Sequence, residues 1–237
     1  MNFFRVINKW RIAAFLKQSK PQTEEEYYEQ LFTKSQLWSK PGPNNDEKLR
    51  WDVIKTFVET GINILNKENN IALLDLGCGR GWLSNLLSAY GKVTGIEPVK
   101  PVIEHARKIF PKLEFLVGTS QTILETRSNS FDFVVSSEVI EHIPNEQKEV
   151  FINDIVKLLK KDGFLILTTP RKEAQLEWNK YTSTDQPIEE WISESELETL
   201  VTKKHFKVIA LKRIPLIPKL NFPEIDVYQL WLFQKIN

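Results

Sequence analysis

The sequence predicts an α/β fold in which a largely parallel sheet is covered by helices on both faces. Three observations carry that prediction. From residue 71 onward, short apolar runs alternate with amphipathic stretches of helical period, as in successive βαβ units. The apolar runs carry few polar breaks, which is the pattern of strands buried on both sides. The chain has 237 residues and 41% apolar content, enough for one such domain with additions and too little for two full ones.

Taken in order, residues 23–34 read as a helix, with Thr23 as N-cap and three glutamates in the first turn. The run Lys40-Pro41-Gly42-Pro43-Asn44-Asn45 breaks it, and residues 46–65 form a second helix with Leu49, Val53, Phe57 and Leu65 on one side. Strands follow at Ile71–Leu76, Lys92–Glu97, Leu113–Val117, Phe131–Ser137 and Phe164–Thr169, with helices at 82–90, 99–110 and 145–160. Residues 171–192 are polar and read as irregular. A short helix at 193–203 and strands at 205–212 and 226–236 close the chain; Pro215, Pro218 and Pro223 between these strands are too many for a central one. Two parts are expected, an N-terminal helical lid over 1–45 and the main domain over 46–237.

Charge and composition exclude several classes. Lys and Arg total 32 against 31 acidic residues, a net charge of +1, which argues against neutralising phosphates along a nucleic acid. The single cysteine, Cys78, leaves no disulfide framework and no cysteine-based zinc site. No apolar run approaches the roughly 20 residues of a membrane span, so a soluble, cytoplasmic protein acting on a small molecule is expected. Residues 1–20 combine five basic and no acidic residues with Phe3, Phe4, Ile7, Trp10 and Phe15. They lack the apolar core and cleavage site of a secretory leader. Two readings stand: a helix covering the core or active site, or a basic amphipathic helix making peripheral contact with a membrane surface.

The sharpest feature is Asp75-Leu76-Gly77-Cys78-Gly79-Arg80-Gly81-Trp82, between the first sheet strand and the helix after it. Glycines there let backbone N–H groups approach a ligand, and the helix N-terminus favours polar or anionic groups. Glu97, at the tip of the next strand, is placed to accept both hydroxyls of a ribose. Together they point to an adenosine-containing ligand. The dinucleotide spacing Gly-x-Gly-x-x-Gly fails here, because its third glycine would fall at Trp82.

With the spacing Asp75-x-Gly77-x-Gly79-x-Gly81, followed by Gly95-Ile96-Glu97, the chain resembles the class I S-adenosylmethionine-dependent methyltransferases. The stretch from Phe131 through Ser136-Ser137-Glu138-Val139-Ile140-Glu141-His142-Ile143-Pro144 resembles their branch that includes ubiquinone-biosynthesis O-methyltransferases, as does Leu158-Leu159-Lys160-Lys161-Asp162-Gly163. The likeness covers about residues 46–212. It implies a Rossmann-like, seven-stranded, mostly parallel sheet with an antiparallel last strand. S-adenosylmethionine is then the expected cofactor and S-adenosylhomocysteine the product. Gly77, Cys78, Gly79 and Gly81 would shape the pocket for its methionine part, with Asp75 anchoring that loop and Glu97 on the ribose. The family often has an aspartate after the third strand for the adenine amine; Thr119 stands there, so Thr119, Ser120 or backbone would substitute. Ser137 and Glu138 would line the cleft near the sulfonium.

For the chemistry, His142 is the candidate general base, with Glu141 orienting it. A purely structural His142 is an equal reading. Trp38, Tyr28, Trp178 and Tyr181 are expected to wall an acceptor pocket, most plausibly for an oxygen nucleophile on a small metabolite. Two alternatives remain: a non-catalytic scaffold of the same fold, and a metal-dependent RNA 3′-end 2′-O-methyltransferase. The second would need Glu138, Glu141 and His142 to converge on a divalent ion; Gln186 stands where a further histidine would be needed, and no metal is expected.

Overall fold

The structure, a computed structural model, describes residues 21–67, 69–181, 186–218 and 222–236. Both expectations for residues 1–20 lie outside the described residues. Helix α1 (Glu24–Lys34) starts where Thr23 accepts the Glu26 N–H at 3.1 Å, and its first turn is acidic. Helix α2 (Asn45–Leu65) starts with a capping box: Asn44 Oδ1 accepts from Glu47 N at 3.0 Å, and Asn44 N donates to Glu47 Oε2 at 2.7 Å.

The sheet follows the predicted alternation: β1 (Ala72–Leu76), α3 (Trp82–Leu87), β2 (Lys92–Glu97), α4 (Lys100–Ile109), β3 (Glu114–Val117), α5 (Ser120–Arg127), β4 (Phe131–Ser137), α6 (Asn145–Leu158), β5 (Leu159–Pro170), α7 (Lys172–Trp178), α8 (Glu194–Thr202), β6 (Phe206–Leu216) and β7 (Ile225–Lys235). Among the described residues, seven strands form one sheet in the order β3-β2-β1-β4-β5-β7-β6. β7 runs antiparallel to both its neighbours, and the pairs from β3 to β5 are parallel.

Side chains of each central strand alternate between two cores. Leu73, Phe133 and Val135 meet Ile54, Phe57 and Val58 of α2 on one face. Leu74 and Val134 meet Phe151, Ile155 and Leu158 of α6 on the other. Gly61 of α2 is needed for close approach, since a Cβ there would lie 2.5 Å from the Phe133 ring.

Four local expectations change. Residues 120–127 are helical, a segment given no element from sequence, and residues 172–178, read as irregular, form α7. Only Ala174 and Trp178 of α7 are buried, one helical turn apart, too sparse a pattern to register as a stripe. β5 begins at Leu159, with a register shift before Phe164, so α6 ends at Leu158. β6 continues through Pro215 to Leu216 because it is the edge strand, where a missing N–H costs little.

One polar contact ties the N-terminal segment to the sheet. Arg80, in the loop after β1, is fully buried. Its Nη1 and Nη2 donate to the two carboxylate oxygens of Glu47 at 2.8 and 2.7 Å, its Nε to Lys40 O at 2.6 Å, and Nη2 also to Gly42 O at 3.1 Å. Replacing Arg80 with Met strips four acceptor contacts and leaves Glu47 an unpaired buried charge. Urea denaturation should show a loss of about 3–5 kcal/mol; a loss below about 1 kcal/mol would contradict the role given to this pair.

Candidate active site

The carboxyl ends of β1, β2, β3 and β4 open into a cleft of about 920 Å³, walled on its far side by α1 and the start of α2. Ligands of open α/β sheets bind at this edge, and the volume lies near the upper end of small-molecule pockets.

The loop after β1 turns sharply. Gly77 and Cys78 N–H both donate to Ile96 O, at 2.9 and 3.0 Å, and Gly77, Gly79 and Gly81 have φ of +79, +49 and +82°. A side chain at Gly77 would meet Val139 Cγ2 at 2.4 Å, and one at Gly79 would press on the Phe32 ring of α1 at 3.2 Å. Gly77, Cys78 and Gly79 face the cleft. Gly81 does not: it caps α3, and a side chain there would strike Phe115 at 2.6 Å. The Cys78 thiol is buried, which pushes its pKa well up and leaves it inert.

Asp75 is buried under that loop and accepts from Ser84 Oγ at 2.6 Å; burial raises its pKa to about 7. Glu97 is held by the N–H groups of Gly79 and Val99, each at 3.3 Å, and burial again raises it to about 7. Beside it, Gly118 N–H donates to Glu97 O at 3.1 Å, and Thr119, Ser120 and Gln121 line the adjoining wall.

At the end of β4, Ser137 Oγ lies 2.9 Å from Thr168 Oγ1, whose own proton goes to Glu138 Oε1 at 2.9 Å. Glu138 has a left-handed backbone, φ +59°, a strained conformation of the kind found at ligand sites. Glu141 accepts from Thr169 Oγ1 at 3.0 Å. Burial raises the pKa of Glu138 and of Glu141 to about 7 each.

His142 is oriented by backbone: Nδ1 lies 2.7 Å from Ile188 O, so the neutral ring carries its proton there and leaves Nε2 with a lone pair. The expected orienting group, Glu141, stands 3.9 Å from Nε2 instead. Burial lowers the His142 pKa below its ordinary value of 6.5. Among the described residues, no three His, Cys, Asp or Glu side chains converge to hold a metal ion; Glu138, Glu141 and His142 are each turned to a different partner.

Of the aromatic residues expected in the acceptor pocket, Tyr28 and Trp38 line the cleft, and the Tyr28 ring meets His142 edge-on at 5.8 Å. Trp178 and Tyr181 do not reach it. Trp178 is wholly buried in the core shared with α2, while Tyr181 packs on Phe222 at 4.8 Å and donates to Glu177 at 2.9 Å.

Arg50 is the residue that sequence reasoning passed over. It is 3% exposed and lines the cleft. Its guanidinium lies over the Tyr228 ring at 5.0 Å and 3.9 Å from Glu138, and among the described residues it donates no hydrogen bond. Buried guanidinium groups ordinarily donate hydrogen bonds, as Arg80 does, so this one stands out as a buried cation with its donors unused. The signal was available: Glu47, Arg50, Ile54, Phe57 and Gly61 share one helical face, so two charges sit on the buried stripe of α2.

A sequence model described as a methyltransferase domain matches residues 74–167. The ubiquinone biosynthesis O-methyltransferase of Pelagibacter ubique is 35% identical over 108 residues, 44% of this chain and 43% of that protein. Its counterpart in Rickettsia typhi is 29% identical over 192 residues, 73% of this chain and 76% of that protein. Residues 74–167 of the chain are thus similar to methyltransferases.

The match spans less than half the length of several of these relatives, 43% of the Pelagibacter protein and 32% of the rat one. Among solved structures, a protein of Pyrococcus horikoshii superposes with a TM-score of 0.67 at 20% identity, covering 89% of this chain and 98% of its own, a likeness of fold. S-adenosylmethionine is the cofactor that the resemblance to these methyltransferases implies, and the residues present fit it. Glu97 is a buried acceptor at the nucleoside end, the glycine loop has room for the chain between, and Arg50 is an unsatisfied cation for a carboxylate.

Ribose hydroxyls bind an ionised Glu97 best. Affinity for S-adenosylhomocysteine should therefore fall as pH drops through about 7, by about tenfold between pH 8 and 6 in calorimetric titration. A constant affinity over that range would contradict the assignment.

Proposed function

We propose that the chain methylates a hydroxyl oxygen on a small organic acceptor, with residues 21–44 forming a lid over the cleft. The observation that carries this reading is His142, a neutral imidazole held by the Ile188 carbonyl, with Nε2 open beside Tyr28. The names of the relatives, O-methyltransferases of ubiquinone biosynthesis, support oxygen as the acceptor atom.

Asp75 and the Gly77–Gly79 loop shape the pocket for the amino-acid end of the cofactor, Arg50 takes its carboxylate, and Glu97 its ribose. Ser137 and Glu138 line the space beside the sulfonium. When bound, S-adenosylmethionine supplies an electrophilic methyl carbon on a positively charged sulfur. His142 Nε2 would take the acceptor's O–H proton and so raise the nucleophilicity of its oxygen toward that carbon. Transfer of the methyl group to that oxygen would give a methyl ether and S-adenosylhomocysteine, and the His142 imidazolium would give its proton to solvent. Tyr28, Trp38 and the rest of the α1 wall exclude water and hold the acceptor's apolar part. The cleft is lined by many carboxylates, Glu24, Asp46, Glu138, Glu141 and Glu189 among them, a poor surface for the phosphates of an RNA end.

The test is methyl transfer from labelled S-adenosylmethionine to catechol and related phenols, with simple carboxylic acids and amines in parallel. Methylation of phenols is expected; transfer to amines alone would overturn the oxygen reading. His142→Gln should lower kcat by about 100-fold or more and leave S-adenosylhomocysteine affinity unchanged. The acid limb of kcat against pH should fall below 6.5, because the base must be neutral and burial lowers its pKa. Arg50→Met should act oppositely, weakening S-adenosylhomocysteine binding by about 10- to 100-fold through one lost charge-assisted contact. Unchanged affinity would remove Arg50 from the cofactor site.

A further inference from the structure

The methyltransferases that this chain resembles often have an aspartate for the adenine amine where Thr119 stands here. β3 lies beside β2, with Glu97 opposite Val117, and the Gly118–Gln121 loop leaves β3 next to Glu97. A nucleoside whose ribose rests on Glu97 therefore turns its base toward that loop. Thr119 is a poor reader of the base. Its N–H donates to Thr122 Oγ1 at 3.3 Å, and its hydroxyl lies 3.5 Å from the same atom, so both groups are turned into the first turn of α5.

A carboxylate reaches the same wall from α6. Asp154 is 5% exposed and lines the cleft, and its Oδ2 accepts the Ser120 hydroxyl at 2.8 Å. Among the described residues its Oδ1 has no partner, nor is that atom sealed from the cleft. α6 presents Phe151 and Ile155 along the same stretch, so the cleft is the side from which a donor reaches that oxygen. A donor entering from the cleft would complete it.

We propose that Asp154, fixed by Ser120, accepts a hydrogen bond from the exocyclic amine of the cofactor's adenine and so selects a 6-amino over a 6-oxo purine. The N–H groups of Ser120 and Gln121, in the first turn of α5 and without intrahelical acceptors, complement the ring nitrogen beside that amine. A 6-oxo purine would set its carbonyl against the carboxylate and its ring N–H against those donors. The inference rests on the cofactor class and is independent of which acceptor is methylated.

The test compares calorimetric affinities for S-adenosylhomocysteine and S-inosylhomocysteine in the wild-type protein, Asp154→Leu and Thr119→Val. The wild type should prefer the adenosyl ligand by about 100-fold, since a polar site rejects a mismatched polar group strongly. Asp154→Leu should bring the ratio near one, mainly by weakening the adenosyl ligand. Equal wild-type affinities would overturn the proposal whatever the variants do. A ratio kept in Asp154→Leu, or lost in Thr119→Val and not in Asp154→Leu, would overturn it too. Failure of the wild type to bind either ligand would remove the cofactor assignment along with it.

Discussion

The buried pair of Arg80 and Glu47 is the contact on which the cleft depends. Four elements meet at it: the glycine loop that carries Arg80, the proline-rich run at Lys40 and Gly42, the cap of α2, and α2 itself. Burying a cation and an anion is expensive unless every donor and acceptor is matched. Here Arg80 forks onto both oxygens of Glu47 and gives two further N–H bonds to the backbone carbonyls of Lys40 and Gly42. The pair also fixes Arg50, one turn further along α2, against the opposite wall. A satisfied guanidinium thus positions an unsatisfied one.

The electrostatics of the cleft follow from burial more than from pairing. Asp75, Glu97, Glu138 and Glu141 are all raised to about 7, in each case chiefly by desolvation. The same burial pushes His142 the other way, toward its neutral form. A cavity that makes its imidazole reluctant to protonate keeps the neutral base that a base-assisted transfer requires.

The sheet was legible in the sequence because its signal is local. Leu73 to Leu76, interrupted only by Asp75, and Phe133 to Val135 are short apolar runs, and the glycine loop and Glu97 stand at fixed places relative to them. The positions of Tyr28 and Trp38 against the cleft were anticipated as well. What failed depended on long-range packing. Trp178 and Tyr181 were expected in the pocket on aromatic character alone, but a tryptophan fills a core as well as it walls a ligand, and α7 sets Trp178 inside. Arg50 and Asp154 were missed for a related reason. Each is a charge on the buried stripe of a helix, and only the fold shows that the stripe passes from core to cleft between Ile54 and Arg50, and between Ile155 and Asp154.

The most direct measurement is a crystal structure of the protein with S-adenosylhomocysteine bound. The ribose should lie on Glu97, the carboxylate on Arg50, and the sulfur beside Ser137 and Glu138, with His142 Nε2 facing the space beyond it. A ligand bound elsewhere on the chain, or in the cleft with neither its ribose on Glu97 nor its carboxylate on Arg50, would contradict the account.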